Sequence, residues 1–302
     1  MEHLALGLVL LAGTLTASSP PHRQAHTTVT ELPMDMALAS FDDRYRGCGR
    51  LMEQELAELN RTEFASNDIY AKAWSEATKQ WQSQQGRVPR PRALRPELAV
   101  ALLAYSMHDG LYHRFNEAVR RAGRSRREYL GTFHFKALHF LLTEAVRVLR
   151  DTRSPRCHHV YRGIESVRFT ARLRQAVRFG QFTSTSSREE EAKKFGEDTF
   201  FWVETCYGVP IGDFSYYANE EEVLIPPFET FEVTNITRKG SGAFIQLRSQ
   251  GTHSTYNCEL VKETHCKYQP CAFDAARSIL RDAPHLWGLL LAAMALAATR
   301  DP

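Results

Sequence analysis

The sequence predicts an α+β fold, and three observations carry that prediction. Apolar residues recur at helical spacing through the first half, most clearly Phe135, Leu138, Leu142, Val146 and Leu149 on one face. The period changes at Pro155. From Cys157 onward, short runs rich in β-branched and aromatic residues alternate with Gly and Pro turns. A helical half thus precedes a strand half, with no separating linker and no internal repeat.

Each element has its own signal. Ser40-Phe41-Asp42-Asp43 has the residue types of a helix N-cap, and Leu51, Leu56 and Leu59 give the helix behind it an apolar face. From about Asn67, Tyr70, Trp74, Ala77 and Trp81 form one stripe at helical spacing, which reads as core. The Pro- and Arg-rich stretch Gly86–Pro96 reads as a surface loop. Three further helical segments follow: the very apolar Glu97–Ser106, Leu111–Ala122 with Leu111, Phe115 and Val119 on one face, and Phe133–Arg150. Ser125 and Glu128 have capping-box spacing. His134 and His139 lack a second ligand at fixed spacing and read as structural. Strands are expected at His159–Arg162, Val167–Phe169, Gly180–Thr183, Thr199–Thr205, Glu222–Ile225, Phe231–Val233 and Ala243–Leu247. One helix, Ser187–Phe195, interrupts them with three glutamates in its first turn.

The chain has 302 residues, 43% hydrophobic and 24% charged, which is globular composition with room for one large domain or two small ones. A formal charge of +3 is too small to argue for nucleic acid, and none is expected as a partner. Leu4–Leu15 followed by small residues to Ala17 reads as a secretory signal peptide, residues 1–17, with a weak charged start. Residues 18–40 form a polar N-terminal segment. Residues 272–302 hold an apolar run, Leu286–Ala298, shorter than the roughly 20 residues a spanning helix needs. With small residues at Asp274-Ala275-Ala276 and a polar spacer, this tail fits a GPI-attachment signal; a cleaved propeptide is the alternative. The expected location is the secretory pathway and then outside the cell, GPI-anchored or secreted. Cys48, Cys157, Cys206, Cys258, Cys266 and Cys271 show no CxxC or Cys/His spacing, so disulfides and no metal are expected. Asn60 and Asn235 head glycosylation sequons.

Three stretches carry chemistry. Tyr161-Arg162-Gly163 ends an apolar strand with a charge that needs a fixed anionic partner, followed by a glycine that permits close backbone approach. Gln181-Phe182-Thr183-Ser184-Thr185-Ser186 places a run of hydroxyls at a strand end. In Glu220-Glu221-Glu222, spacing on a strand puts Glu220 and Glu222 on one face. Taken singly, each has a plainer use: an ion pair for Arg162, a helix cap for Ser186 or Ser187, a solvated acidic turn for the glutamates.

In this order the three resemble the arginine-specific mono-ADP-ribosyltransferases with the Arg–Ser–Glu motif of the cholera-toxin-like class. Val100–Tyr105, Phe115–Arg120, Phe135–Phe140, Phe195–Phe201 and Glu220–Pro227 also resemble the vertebrate ecto-enzymes of that family. The resemblance covers roughly Phe41 to Cys271. It implies one domain over 41–271, with a helical part (41–150) packed on a split mixed β core (157–262). It implies ADP-ribose transfer from NAD to the guanidinium of arginine in target proteins or small guanidino compounds, with release of nicotinamide. NAD, or NADP, is then a co-substrate with no permanent cofactor, and the enzyme is expected to act as a monomer. Arg162, Ser184 and Glu222 match the catalytic set, with Ser184 expected to position Glu222 and NAD. Glu220 matches the selector of substrate arginine. Tyr105, Arg162, Gly163, Gln181 and Ser215 make up the expected NAD-binding set, and Tyr217 is placed at the acceptor side. The same resemblance pairs Cys48 with Cys258 and Cys157 with Cys206, and leaves Cys266 with Cys271. The rival expectations are an NAD glycohydrolase, which needs Glu222 but no guanidinium holder, and a non-catalytic cell-surface protein on this fold.

Overall fold

The computed structural model describes residues 29–84, 91–107, 110–152, 156–267, 271 and 273. The expected signal peptide lies outside the described residues, as does the C-terminal tail apart from Phe273. The helical part comprises α1 (Gly49–Ser66), α2 (Asp68–Gln84), α3 (Pro96–Ser106), α4 (Leu111–Ala122), α5 (Arg126–Thr132) and α6 (Lys136–Asp151), preceded by β1 (Thr30–Pro33). The strand part comprises β2 (His158–Ile164), β3 (Val167–Thr170), β4 (Ala176–Val177), β5 (Thr183–Ser186), β6 (Thr199–Thr205), β7 (Val209–Pro210), β8 (Glu222–Ile225), β9 (Glu229–Lys239) and β10 (Gly242–Thr252). Within it lies α7 (Glu189–Lys193), and α8 (Glu259–Thr264) follows it.

The main sheet runs β4-β9-β10-β6-β2-β5-β8-β7. Among the described residues of this sheet, only β10 and β6 pair in parallel; the other neighbours are antiparallel, which makes the sheet mixed. Its weak seam is between β2 and β5, which join through one residue pair, Tyr161 with Ser186. On either side the ladders are complete: β2 pairs along its length with β6, and β5 along its length with β8. The sheet therefore splits at the seam, and a cleft opens there.

The molecule has two cores, and the larger joins the halves. The larger is built from the helices, with α3 buried at almost every position from Leu98 to Tyr105, and it takes in Phe182, Val209, Phe214 and Leu224 from the strand part. The smaller lies against the sheet and contains Val160, Phe201, Val203, Val223, Ile225, Phe231 and Ile245. Strand alternation explains how β8 serves both: Leu224 faces one core, Val223 and Ile225 the other.

Several elements depart from the sequence reading. Ser40–Asp43 caps no helix; α1 begins at Gly49 after Cys48. Asp42 and Asp43 are instead fully buried. Asp42 pairs with Arg178 at 2.6 Å and accepts from the backbone N–H groups of Thr255 and Tyr256, while Asp43 accepts from those of Tyr45, Cys258 and Glu259. The long helix begins at Lys136, not Phe133, because the buried Glu63 carboxylate reaches across from α1 to accept from Lys136 N (2.7 Å) and Ala137 N (3.1 Å). Ser125 does cap α5, accepting from Glu128 N at 3.1 Å. The hydroxyl-rich strand lies at Thr183–Ser186, three residues later than the expected Gly180–Thr183. Three disulfides close: Cys48–Cys258, Cys157–Cys206 and Cys266–Cys271. Of the two sequons, Asn60 lies inside α1 and accepts from Tyr70 Oη (3.4 Å), whereas Asn235 is exposed on β9.

Candidate active site

The seam between β2 and β5 opens into a cleft of about 360 Å³ lined by Arg162, Gly163, Ser184, Glu220 and Glu222. Tyr105, Tyr112 and Phe195 also border it. The three chemical stretches of the sequence thus meet in one place. Each comes from a different element: Arg162 from β2, Ser184 from β5, and Glu222 as the first residue of β8.

Arg162 is held from two sides. Its Nη1 donates to the Ser184 carbonyl at 2.6 Å and its Nη2 to the Tyr112 hydroxyl at 2.7 Å. Burial works against its charge, but the oxygens of Tyr112, Tyr105 and Glu222 around it outweigh burial and raise its pKa above the ordinary arginine value. The guanidinium is therefore a fixed cation. Ser184 supplies its carbonyl to this anchor and is among the residues that line the cleft.

Glu222 is 5% exposed, and its Oε2 accepts from Ser215 Oγ at 2.9 Å. Ser215, which the sequence reading counted among the NAD-binding residues, thus also helps orient this carboxylate. Ser215 is itself buried and also accepts from Tyr217 N at 3.2 Å. Glu220 and Glu222 do not share a strand face, as the spacing had implied. Glu220 ends a 3-10 turn (Ala218–Glu220), Glu221 turns through the left-handed region at φ 45°, and only Glu222 belongs to β8. The turn still delivers both carboxylates to the cleft.

The remaining expected contacts are distributed differently. A Cβ at Gly163 would lie 2.3 Å from the carbonyls of Ala192 and Gly196, so this glycine lets the end of α7 seat against β2 as well as lining the cleft. Tyr105 borders the cleft but is fully buried, donating to the Phe182 carbonyl (2.8 Å) and accepting from Asn116 Nδ2 (3.1 Å). Gln181 lies outside the cleft lining, where its Oε1 accepts from Arg120 Nη1. Tyr217 is half-buried, packed edge-on against Tyr216. Tyr112 escaped the sequence reading. Its signal is faint: an aromatic one residue off the apolar stripe of α4, where only packing shows what it touches. Among the described residues, the group that could approach a metal is Cys157, Glu204 and Cys206, and both sulfurs are spent in a disulfide.

An anchored cation and two carboxylates around one cleft suit an anionic substrate group, a centre where positive charge develops, and a cationic acceptor. Comparison with known proteins points the same way. The family model described as NAD:arginine ADP-ribosyltransferase matches residues 34–255. The chain is 55% identical over 276 residues to erythroblast NAD(P)(+)–arginine ADP-ribosyltransferase of Gallus gallus, covering 91% of each. It is 47% identical to GPI-linked NAD(P)(+)–arginine ADP-ribosyltransferase 1 of Homo sapiens, covering 96% of this chain and 93% of that protein. Among solved structures, the eukaryotic mono-ADP-ribosyltransferase ART2.2 aligns with a TM-score of 0.67 at 36% identity, over 75% of this chain and 98% of that one. A variant of ART2.2 solved in complex with NAD aligns equally well, with a TM-score of 0.66.

Proposed function

The chain belongs to the NAD:arginine ADP-ribosyltransferase family, and from that premise we propose how its cleft transfers ADP-ribose from NAD to the guanidinium of arginine in target proteins, with release of nicotinamide. The observation that carries the proposal is the convergence of Arg162, Ser184, Glu220 and Glu222 on one cleft at the seam of the sheet. The bond that breaks joins the nicotinamide nitrogen to C1′ of the ribose. Its electron pair leaves with nicotinamide, which departs neutral, and positive charge develops on the ribose ring as in glycoside hydrolysis. Glu222 supplies the opposing charge. At about 4 Å and an effective dielectric near 20, that attraction is worth roughly 4 kcal/mol, or about three orders of magnitude in rate. Burial and the Ser215 hydroxyl keep the carboxylate oriented before the charge appears.

Arg162, fixed by Ser184 and Tyr112, anchors the anionic part of NAD. Glu220 holds the incoming guanidinium by a charge-assisted fork. One guanidinium nitrogen then bonds to C1′ and loses a proton, and Glu220 is the carboxylate assigned to accept it. Water in place of the guanidinium gives hydrolysis as a side reaction. NAD and NADP are both candidate donors, as the names of the relatives imply. The GPI-linked relatives and the three disulfides support an enzyme at the outer cell surface, acting on exposed arginines. Among the described residues, no helix is long and apolar enough to cross a membrane.

Labelled NAD with and without agmatine tests the proposal. ADP-ribosyl-agmatine and nicotinamide are the expected products. Glu222→Gln should abolish transfer and hydrolysis alike, and Glu220→Gln should abolish transfer while leaving some hydrolysis. Free ADP-ribose regardless of agmatine would make the protein a glycohydrolase, and near-normal turnover in Glu222→Gln would remove that carboxylate from the mechanism.

A further inference from the structure

We infer that Ser186 and Ser187 form a clasp on the Glu220–Glu221 loop, and that this clasp tunes arginine selectivity by fixing the direction of the Glu220 carboxylate. The inference rests on the reading of Glu220 as the guanidinium holder. Glu221, between the two working glutamates, sits at φ 45° and ψ 50°. That left-handed conformation crowds a β-carbon and persists in a non-glycine residue only where its surroundings fix it.

The surroundings here are the end of β5. Ser186 Oγ is buried; it donates to the Glu220 carbonyl at 2.6 Å and accepts from Arg188 N at 3.0 Å. Ser187 N donates to the Glu221 carbonyl at 3.2 Å, and Ser187 Oγ donates to the Glu221 carboxylate at 2.8 Å. The clasp therefore grips the backbone carbonyls on both sides of the Glu221 α-carbon. Glu222 is secured by Ser215 Oγ and by backbone pairing with Ser186 at the end of the β5–β8 ladder, neither of which uses a serine hydroxyl of the clasp. Loosening the clasp thus frees the acceptor-side carboxylate first. Both serines are positioning residues, since they act through the loop.

The test uses the folded, disulfide-bonded enzyme with labelled NAD and a titration of agmatine. Ser186→Ala/Ser187→Ala is expected to raise the KM for agmatine about five- to tenfold and to lower the ratio of transfer to hydrolysis by a similar factor. Ser187→Ala alone, at an exposed hydroxyl, should move both in the same direction and serves if the double variant fails to fold. Ser187→Thr, which keeps the hydroxyl, should restore them. A wild-type ratio in the serine variants alongside a collapsed ratio in Glu220→Gln overturns the clasp alone. So does a parallel loss of transfer and hydrolysis, which is the mark of a merely structural role. A wild-type ratio in Glu220→Gln overturns the reading of Glu220 and the clasp with it.

Discussion

At the scale of single residues, the Ser215–Glu222 contact decides how the catalytic carboxylate is presented. A buried hydrogen bond to a charged group contributes about 1.5–3 kcal/mol. Ser215→Ala should accordingly lower kcat about 10- to 100-fold. Because Ser215 Oγ is engaged with Glu222, the KM for NAD should move far less than kcat. Steady-state kinetics at varied NAD and saturating agmatine separates the two. A rise in KM with kcat unchanged would return Ser215 to the NAD-binding role that the sequence suggested. Tyr112 belongs at this scale too, because its hydroxyl is half of the cradle that keeps Arg162 in place.

At the scale of elements, the helical part is locked by a cap from outside the helix it caps. Glu63 of α1 accepts from the first N–H groups of α6, which supplies no side-chain cap of its own. Glu63→Ala leaves those buried donors unpaired and should destabilise the protein by about 2–4 kcal/mol. Glu63→Gln keeps one acceptor oxygen and should cost less. Denaturant unfolding of the two variants measures the difference, and equal losses would mean that packing of the side chain matters more than the cap.

At the scale of the whole molecule, two features govern stability. Cys48–Cys258 spans a sequence separation of 210 and ties the start of α1 to the start of α8. Replacing both cysteines by alanine should cost about 2–5 kcal/mol, read as a lower unfolding temperature. The second is proton linkage. Burial raises Glu229 from 4.5 to about 7, although Ser249, Thr205 and the backbone of Cys206 and Tyr207 hydrogen-bond its carboxylate. Between those values the folded state keeps a proton that the unfolded chain has lost. Stability from this group is full below pH 4.5 and falls as pH rises toward about 7. Glu63, also raised by burial to about 7, has the same sign. His139, lowered by burial to about 3, has the opposite sign: its contribution is present above 6.5 and lost as pH falls. Glu229→Gln should therefore flatten the decline in unfolding temperature between about pH 5 and 7 relative to wild type. An unchanged profile would show that Glu229 titrates alike in both states.

By itself the sequence determined the fold class, the order of the halves and the chemical stretches. The reason is that helical and strand periodicity, turn residues and residue chemistry are local properties. It carried Arg162, Ser184, Glu220 and Glu222 as one set, and the fold brings those four to one cleft. Only the tertiary structure decided which partner each of them has. Arg162 meets Tyr112, 50 residues away, because α4 packs beside the seam. Ser215 takes Glu222, Gln181 turns to Arg120, and Asp42 and Asp43 bury against a loop more than 200 residues on. Those contacts follow from how two cores close over a split sheet. A partner chosen by long-range packing leaves no period or spacing in the chain to be read in advance.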